Sequence, residues 1–182
     1  VLRLDSAGGV PGGIGATGGT SPITIEGGVL GLNEGDFTRS LGTGKDQVQF
    51  KAAGGFAAYG SDRLVNFGGN NDPVAWGVDG FIPAGSGLLL GAHDSTHKVT
   101  ISNPLTLGFG RQIVTAQNGL APVDGELSGA ISGTAELVKR GFGELRLSGN
   151  SSFTGGVSVE QGTLIGANSP NAFGTGSVMV GV

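Results

Sequence analysis

Apolar and polar residues alternate in short bursts along this chain, and glycine interrupts almost every burst. The segments PITIEGG, QVQF, LVNFGG, HKVTIS, PLTLG, QIVTA, ELRLSG, GVSVEQG and GSVMVGV each carry period-two alternation closed by Gly, Asn, Asp or Pro. That is the grammar of short β-strands with tight corners. The alternation predicts inward positions at Ile23 and Ile25, Val48 and Phe50, Val99 and Ile101, Leu105 and Leu107, Leu145 and Leu147, Val157 and Val159, and Val178 and Val180. No long stretch places apolar residues at i, i+3, i+4 and i+7 without an intervening glycine, so helix is not expected.

Two segments align. ITIEGGVLGLNEGDFTRSLGTG (residues 23–44) and VSVEQGTLIGANSPNAFGTG (residues 157–176) share an alternating burst, an acid, a glycine, a second apolar pair, a polar turn and a closing Gly-Thr-Gly. A unit of roughly 20 residues falls among solenoid architectures, and a parallel β-helix stacks each strand on its counterpart one rung away. The expected fold is therefore all-β, a parallel β-helix (β-solenoid) with Gly-rich turns and about nine short rungs. Residues 1–182 read as a single β-solenoid module: rungs with Gly-rich turns over 1–49, irregular aromatic-rich rungs over 50–97, and regular repeat rungs over 98–182. Reading SVMVGV onward into VLRLDSAGGVPGGIGATG yields a third copy of the unit. This predicts that the chain is one period of a longer head-to-tail array, or joins copies of itself end to end. The opening VLRLDSAGG, with neither initiator Met nor charged leader, predicts a processed or excised piece of something longer.

Composition narrows the picture. Glycine supplies 39 of 182 residues, but not at every third position, and proline only 7, which excludes collagen. Apolar residues at 37% in strand-like clusters argue against disorder. Ten scattered Lys and Arg and a net charge of −4 give no basic track for nucleic acid. No apolar run approaches the ~20 residues of a spanning helix, so membrane insertion by this segment is not expected. The absence of cysteine removes disulfides, thiolate metal sites and Cys nucleophiles.

Residues 133–176 carry a longer pattern, GTAELVKRGFGELRLSGNSSFTGGVSVEQGTLIGANSPNAFGTG. It resembles the autotransporter-associated β-strand repeat, also called the passenger-associated transport repeat. Leu137, Lys139, Gly141, Gly143, Leu145, Leu147, Gly149, Phe153, Thr154, Gly155, Val159, Gly162, Thr163 and Leu164 fall on the repeat's pattern. Ser152 and Val157 depart from it without disturbing the alternation. The match covers about a quarter of the chain; GDFTRSLGTGKDQVQF and GGFAAYGSDRLVNFGG resemble segments of very large bacterial surface proteins that carry this repeat. The resemblance implies a right-handed parallel β-helix, export across a Gram-negative-type envelope and an extracellular or cell-surface location. It implies no catalytic activity.

Candidate chemistry is sparse. GIGATG (residues 13–18) matches Gly-x-Gly-x-x-Gly but is followed by Pro22 and a strand, so a glycine turn is expected rather than a dinucleotide site. LGTGKD has Asp46 where a phosphate loop needs Ser or Thr. His93 and His97 in HDSTH would lie ~13 Å apart on a strand, too far for one metal, and a solvated loop is expected. Ser95 lacks a nucleophile elbow. Asp124 and Glu126 would lie ~7 Å apart on one face, a spacing used by inverting glycosidases, and Glu34 and Asp36 offer a similar pair. A surface ladder of acids is the expected state of both. The Gly-Gly-x-Gly-x-Asp signature of calcium-binding repeats is missing, and Asn150-Ser151-Ser152 is a glycosylation sequon by pattern only.

The chain is therefore expected not to be an enzyme and to have no cofactor, metal or catalytic residues. It reads as a structural module of a secreted or cell-surface fibre that stacks head to tail on itself or on neighbouring repeats. Neither a helix nor a charged cap marks either end, so the expected self-association residues are Val1, Leu2 and Leu4 in the N-terminal rung and Val178, Val180 and Val182 in the C-terminal rung. The alternatives are a surface adhesin whose aromatic-rich middle binds a polysaccharide or a host or cell surface, and a carbohydrate-active β-helix enzyme with an acid pair in a groove beside Trp76 or Tyr59.

Overall fold

The structure is a computed structural model that describes residues 1–181. The regular secondary structure of the described residues consists of strands, none longer than six residues. They are β1 (Leu2–Leu4), β2 (Ile23–Ile25), β3 (Val29–Leu32), β4 (Ser40–Leu41), β5 (Gln47–Phe50), β6 (Gly54–Ala58) and β7 (Arg63–Val65). There follow β8 (Val74–Ala75), β9 (Gly87–Leu90), β10 (Val99–Ile101), β11 (Leu105–Leu107), β12 (Arg111–Ala116) and β13 (Gly125–Leu127). The last are β14 (Ile131–Gly133), β15 (Glu136–Arg140), β16 (Glu144–Leu147), β17 (Val157–Val159), β18 (Thr163–Gly166) and β19 (Val178–Val180).

The strand pairings are parallel and build long faces. The largest sheet has eight strands in the order β1-β3-β6-β9-β12-β15-β17-β19, and a second face runs β7-β10-β13-β16-β18. Two three-stranded sheets, β2-β5-β4 and β8-β11-β14, complete the circuit. The chain visits the faces in rotation: β12, β13 and β14 lie on three different sheets, and β15 returns to stack on β12. The expected parallel β-helix is the observed fold. Backbone hydrogen bonds run along the axis, and the side chains pointing inward form ladders such as Val65–Ile101–Leu127–Leu147.

The eight strands of the main sheet mark eight rungs, against about nine expected from a uniform period. Only the last two main-sheet steps, from Leu137 to Val157 and from Val157 to Val178, have the 20- and 21-residue length of that period. The step from Phe56 to Leu90 takes 34 residues. The two segments aligned in the sequence also occupy different faces: Ile23–Ile25 is β2 of a small sheet, whereas Val157–Val159 is β17 of the main sheet. Their likeness records a shared strand–corner–strand grammar, which every corner of such a coil can use.

The long rung spends its extra residues on filling the interior. Phe50, Phe56, Phe67, Trp76 and Phe81 are buried with Phe37, their ring centroids 4.9 to 6.3 Å apart in tilted and edge-on pairs. Such pairs each add about 0.5–1.5 kcal/mol beyond their area burial. Elsewhere Val, Leu and Ile ladders do the work, with Leu145 and Leu147 fully buried. Close stacking also explains one glycine: a Cβ on Gly55 would lie 1.7 Å from the Leu89 carbonyl oxygen of the next rung.

Candidate functional site at the ends of the coil

β1 and β19 are the outermost strands of the main sheet, each paired on one edge. On β19, Val178, Met179 and Val180 are 52%, 55% and 78% exposed. Val178 faces inward, in register with the buried Val157, so its exposure reflects the lack of a covering rung and not an outward orientation. Val178 and Val180 thus keep the inward register expected of them, in line with Val157 and Val159, while lying uncovered. Val182 lies outside the described residues.

The opposite end is built differently. Val1 and Leu2 are exposed, but Leu4 is buried. Residues 5–22 form a glycine-rich loop that turns Val10 and Ile14 into the core. Arg39, fully buried, pins this loop: its guanidinium donates to the carbonyl oxygens of Pro11, Gly13 and Ser21 at 2.5 to 2.8 Å and of Lys45 at 3.2 Å. Thr38 N adds a bond to Ile14 O of 2.9 Å. The sequence shows no helix or charged cap here, and none is present; a loop stapled by a buried cation closes most of this end instead. GIGATG is part of that loop, with Gly13 and Gly18 at φ of 76° and 92°. What remains open is an apolar groove of about 230 Å³ lined by Leu2, Ile23, Ile25, Val29 and Leu30.

The inward columns at the two ends do not coincide. Leu2 continues through Leu30, Phe56 and Leu90 to Ala116, whereas Val178 continues through Val157 and Leu137 to Gln112. Four residues of β12 separate the two columns, an offset of ~13 Å along the strands.

Three of the four acids considered as catalytic pairs are engaged in hydrogen bonds or an ion pair within the coil. Asp124 is buried and accepts Gly119 N at 2.7 Å and Glu144 N at 2.8 Å. Glu126 pairs with Lys98 Nζ at 2.6 Å and accepts Ser148 Oγ at 2.6 Å. Burial alone would raise the Glu126 carboxyl, but these two donors and the positive charges of Lys98 and Arg146 together outweigh it and hold the group below its ordinary value. Asp36 accepts Leu64 N at 2.8 Å, and Glu34 is exposed. Ser95 is buried in a turn, bonded to Ala92, and His93 is exposed in the loop after β9. Among the described residues no cluster of three ligating side chains gathers that could hold a metal. Trp76 is buried, and so is Tyr59, whose hydroxyl donates to Asp94 Oδ1 at 2.7 Å; burial and that bond push it up to about 12. The aromatics of the middle segment are thus core, and the exposed aromatics are Phe109 and Phe142 at two separate corners.

Residues 137–165 match the passenger-associated transport repeat family, the segment on which the motif from Leu137 to Leu164 falls. The chain is also 33% identical, over 114 residues and 56% of its length, to the adhesin BmaC autotransporter of Brucella suis biovar 1 (strain 1330). The match spans 3% of that much longer protein. No solved structure matches.

Proposed function

We propose that this chain is a structural segment of a secreted or surface-displayed passenger of a Gram-negative-type bacterium, and that it associates end to end, with neighbouring repeats or with further copies of itself, through its outermost rungs. The observation that carries the reading is the apolar edge of β19, where Val178, Met179 and Val180 are each more than half exposed beside an unpaired strand edge. Such an edge is a template for a further parallel strand. The partner at the other end is the groove lined by Leu2, Ile23, Ile25 and Leu30. The repeat within residues 137–165 and the kinship with an autotransporter adhesin support the surface location. The engaged state of Asp124 and Glu126 supports a role without catalysis. Because the inward columns are offset by four residues, two copies that pair Val178 with Leu2 are displaced sideways by ~13 Å, which yields a stepped rod rather than a straight one.

Electron microscopy and light scattering of the chain test this. Rods or oligomers that grow with concentration are expected, and Val180→Lys is expected to return them to monomers with unchanged melting. Compact monomers at every concentration would overturn the end-to-end reading.

A further inference from the structure

Arg146 stands apart among the six arginines. Arg3, Arg111 and Arg140 form ion pairs, Arg39 is held by backbone carbonyls, and Arg63 donates to Asn33 O. Arg146 enters no ion pair among the described residues, and its Nε is buried without a hydrogen-bond partner. It lies on the outward column Leu64–Thr100–Glu126–Arg146–Ile165 of the second face. Its neighbour Glu126 feels the charge of Arg146 but makes its close contacts with Lys98 and Ser148 instead. The guanidinium lines a groove of about 230 Å³ at the corner where the chain leaves the main sheet for the second face. Asp62, Thr96, His97, Lys98, Pro122 and Val123, drawn from three successive rungs, line it with Arg146.

We infer that this groove binds an acidic sugar, with the Arg146 fork taking the carboxylate of a uronic-acid-type residue. A guanidinium presents paired donors that match a carboxylate in a plane, and a partly dehydrated one without a partner gains most from acquiring it. Pro122 and Val123 supply an apolar wall for the face of a pyranose ring. Thr96 and the exposed carboxylate of Asp62 supply partners for ring hydroxyls; Asp62 Oδ1 already accepts Lys98 N at 3.0 Å, leaving its second oxygen 3.9 Å from Lys98 Nζ.

Two features select a sugar over the other anions. Arg146 and Lys98 are balanced in charge by Asp62 and Glu126, so no net field gathers a free phosphate or sulfate, and recognition rests on short-range geometry. The wall strands are paired along the coil axis, with Thr100 between Leu64 and Glu126, so no free backbone edge is offered to an extended peptide. The site lies on the flank of the coil, away from β1 and β19, and stands or falls independently of end-to-end association.

Calorimetric titration and amide and Arg side-chain NMR spectra of the chain with trigalacturonate, maltotriose and inorganic phosphate decide the matter. Trigalacturonate is expected to bind saturably and to shift the Arg146 Nε–H signal and the amides of Thr96, His97 and Val123, while maltotriose and phosphate leave them in place. Arg146→Gln is expected to weaken binding at least tenfold, and Arg146→Lys, which keeps the charge but not the fork, to weaken it less, both with unchanged melting and unchanged oligomeric state. Equal binding by Arg146→Gln, equal binding of maltotriose, the same shifts with phosphate, displacement by a Glu-rich peptide, or absence of trigalacturonate binding at millimolar concentration each overturns the assignment.

Discussion

Lys139 Nζ donates to the carbonyl oxygen of Gln161, 2.9 Å away and one rung further along the coil. The same ammonium donates to Arg140 O at 3.0 Å and Gly141 O at 2.7 Å, and the side chain is fully buried. It therefore satisfies three carbonyls at the ends of β15 and β17, where the chain turns its corners. The corner itself requires Gly141, at φ 76°, where a Cβ would lie 2.3 Å from the Ala116 carbonyl oxygen. Lysine at this position of the repeat ties successive corners together. Burial lowers its pKa to about 8, against the attraction of Asp124.

Lys139→Met keeps length and apolar bulk but leaves three acceptors without donors, and is expected to lose about 2–4 kcal/mol in urea unfolding. The pH dependence has a defined sign. Between about 8 and the ordinary lysine value of 10.5 the unfolded chain holds a proton that the folded chain has released, so the stability of the wild type rises with pH across this window. The corresponding slope is absent in Lys139→Met. Parallel pH profiles of the two proteins would contradict the assignment.

Arg39→Met removes the donor that holds Pro11, Gly13, Ser21 and Lys45 carbonyls. The expected outcome is a loss of about 3 kcal/mol or more, with amide hydrogen exchange rising first across residues 11–21. Arg39→Lys reaches fewer of these carbonyls and is expected to recover only part of the loss. Unchanged exchange in the loop would show that Val10 and Ile14 hold it without the cation.

Glu126→Gln breaks the ion pair with Lys98 while keeping shape and a hydrogen-bonding side chain, and is expected to lower stability by about 1 kcal/mol at pH 7, a value kept small by the solvent access that Lys98 retains. Since the folded carboxyl titrates below its ordinary value of 4.5, its contribution is present above that pH and is lost as pH falls below it. Acid unfolding of Glu126→Gln should therefore converge on that of the wild type at low pH. A constant difference down to pH 2 would exclude the linkage.

Gly55→Ala and Gly110→Ala separate stacking from backbone strain. Gly55 faces the next rung, with 1.7 Å available to the Leu89 carbonyl, whereas Gly110 has φ 79° and open space around it. Gly110→Ala is expected to lose about 1 kcal/mol, the strain of a left-handed residue alone. Gly55→Ala is expected to lose about 3 kcal/mol, because the rung spacing itself must give. Thermal melts of the two variants rank the effects directly.

Much of this architecture was legible because period-two alternation is a local property. Leu145 and Leu147, Val99 and Ile101, and Leu105 and Leu107 point inward as their parity requires. The motif from Leu137 to Leu164 locates the regular rungs, and the same stretch has the short main-sheet steps. Arg39 and Lys139 were not legible as staples, since a lone cation in a glycine-rich stretch reads like any surface charge until its carbonyl partners, brought from other rungs, are in place. Arg146 was equally silent, for its significance lies in the lack of a partner.

The sequence by itself determined that the chain forms many short strands, where the corners fall and which side of each strand faces in, because alternation and glycine act over a few residues. The tertiary structure alone decided which face each strand joins and which inward residues are covered. Ile23 and Val157 share a local pattern yet lie on different sheets, and Val157 is buried while Val178, one rung beyond it in the same column, is not. Burial in a coil of stacked rungs depends on the neighbouring rung, and on the main sheet that neighbour is 20 to 34 residues distant in the chain.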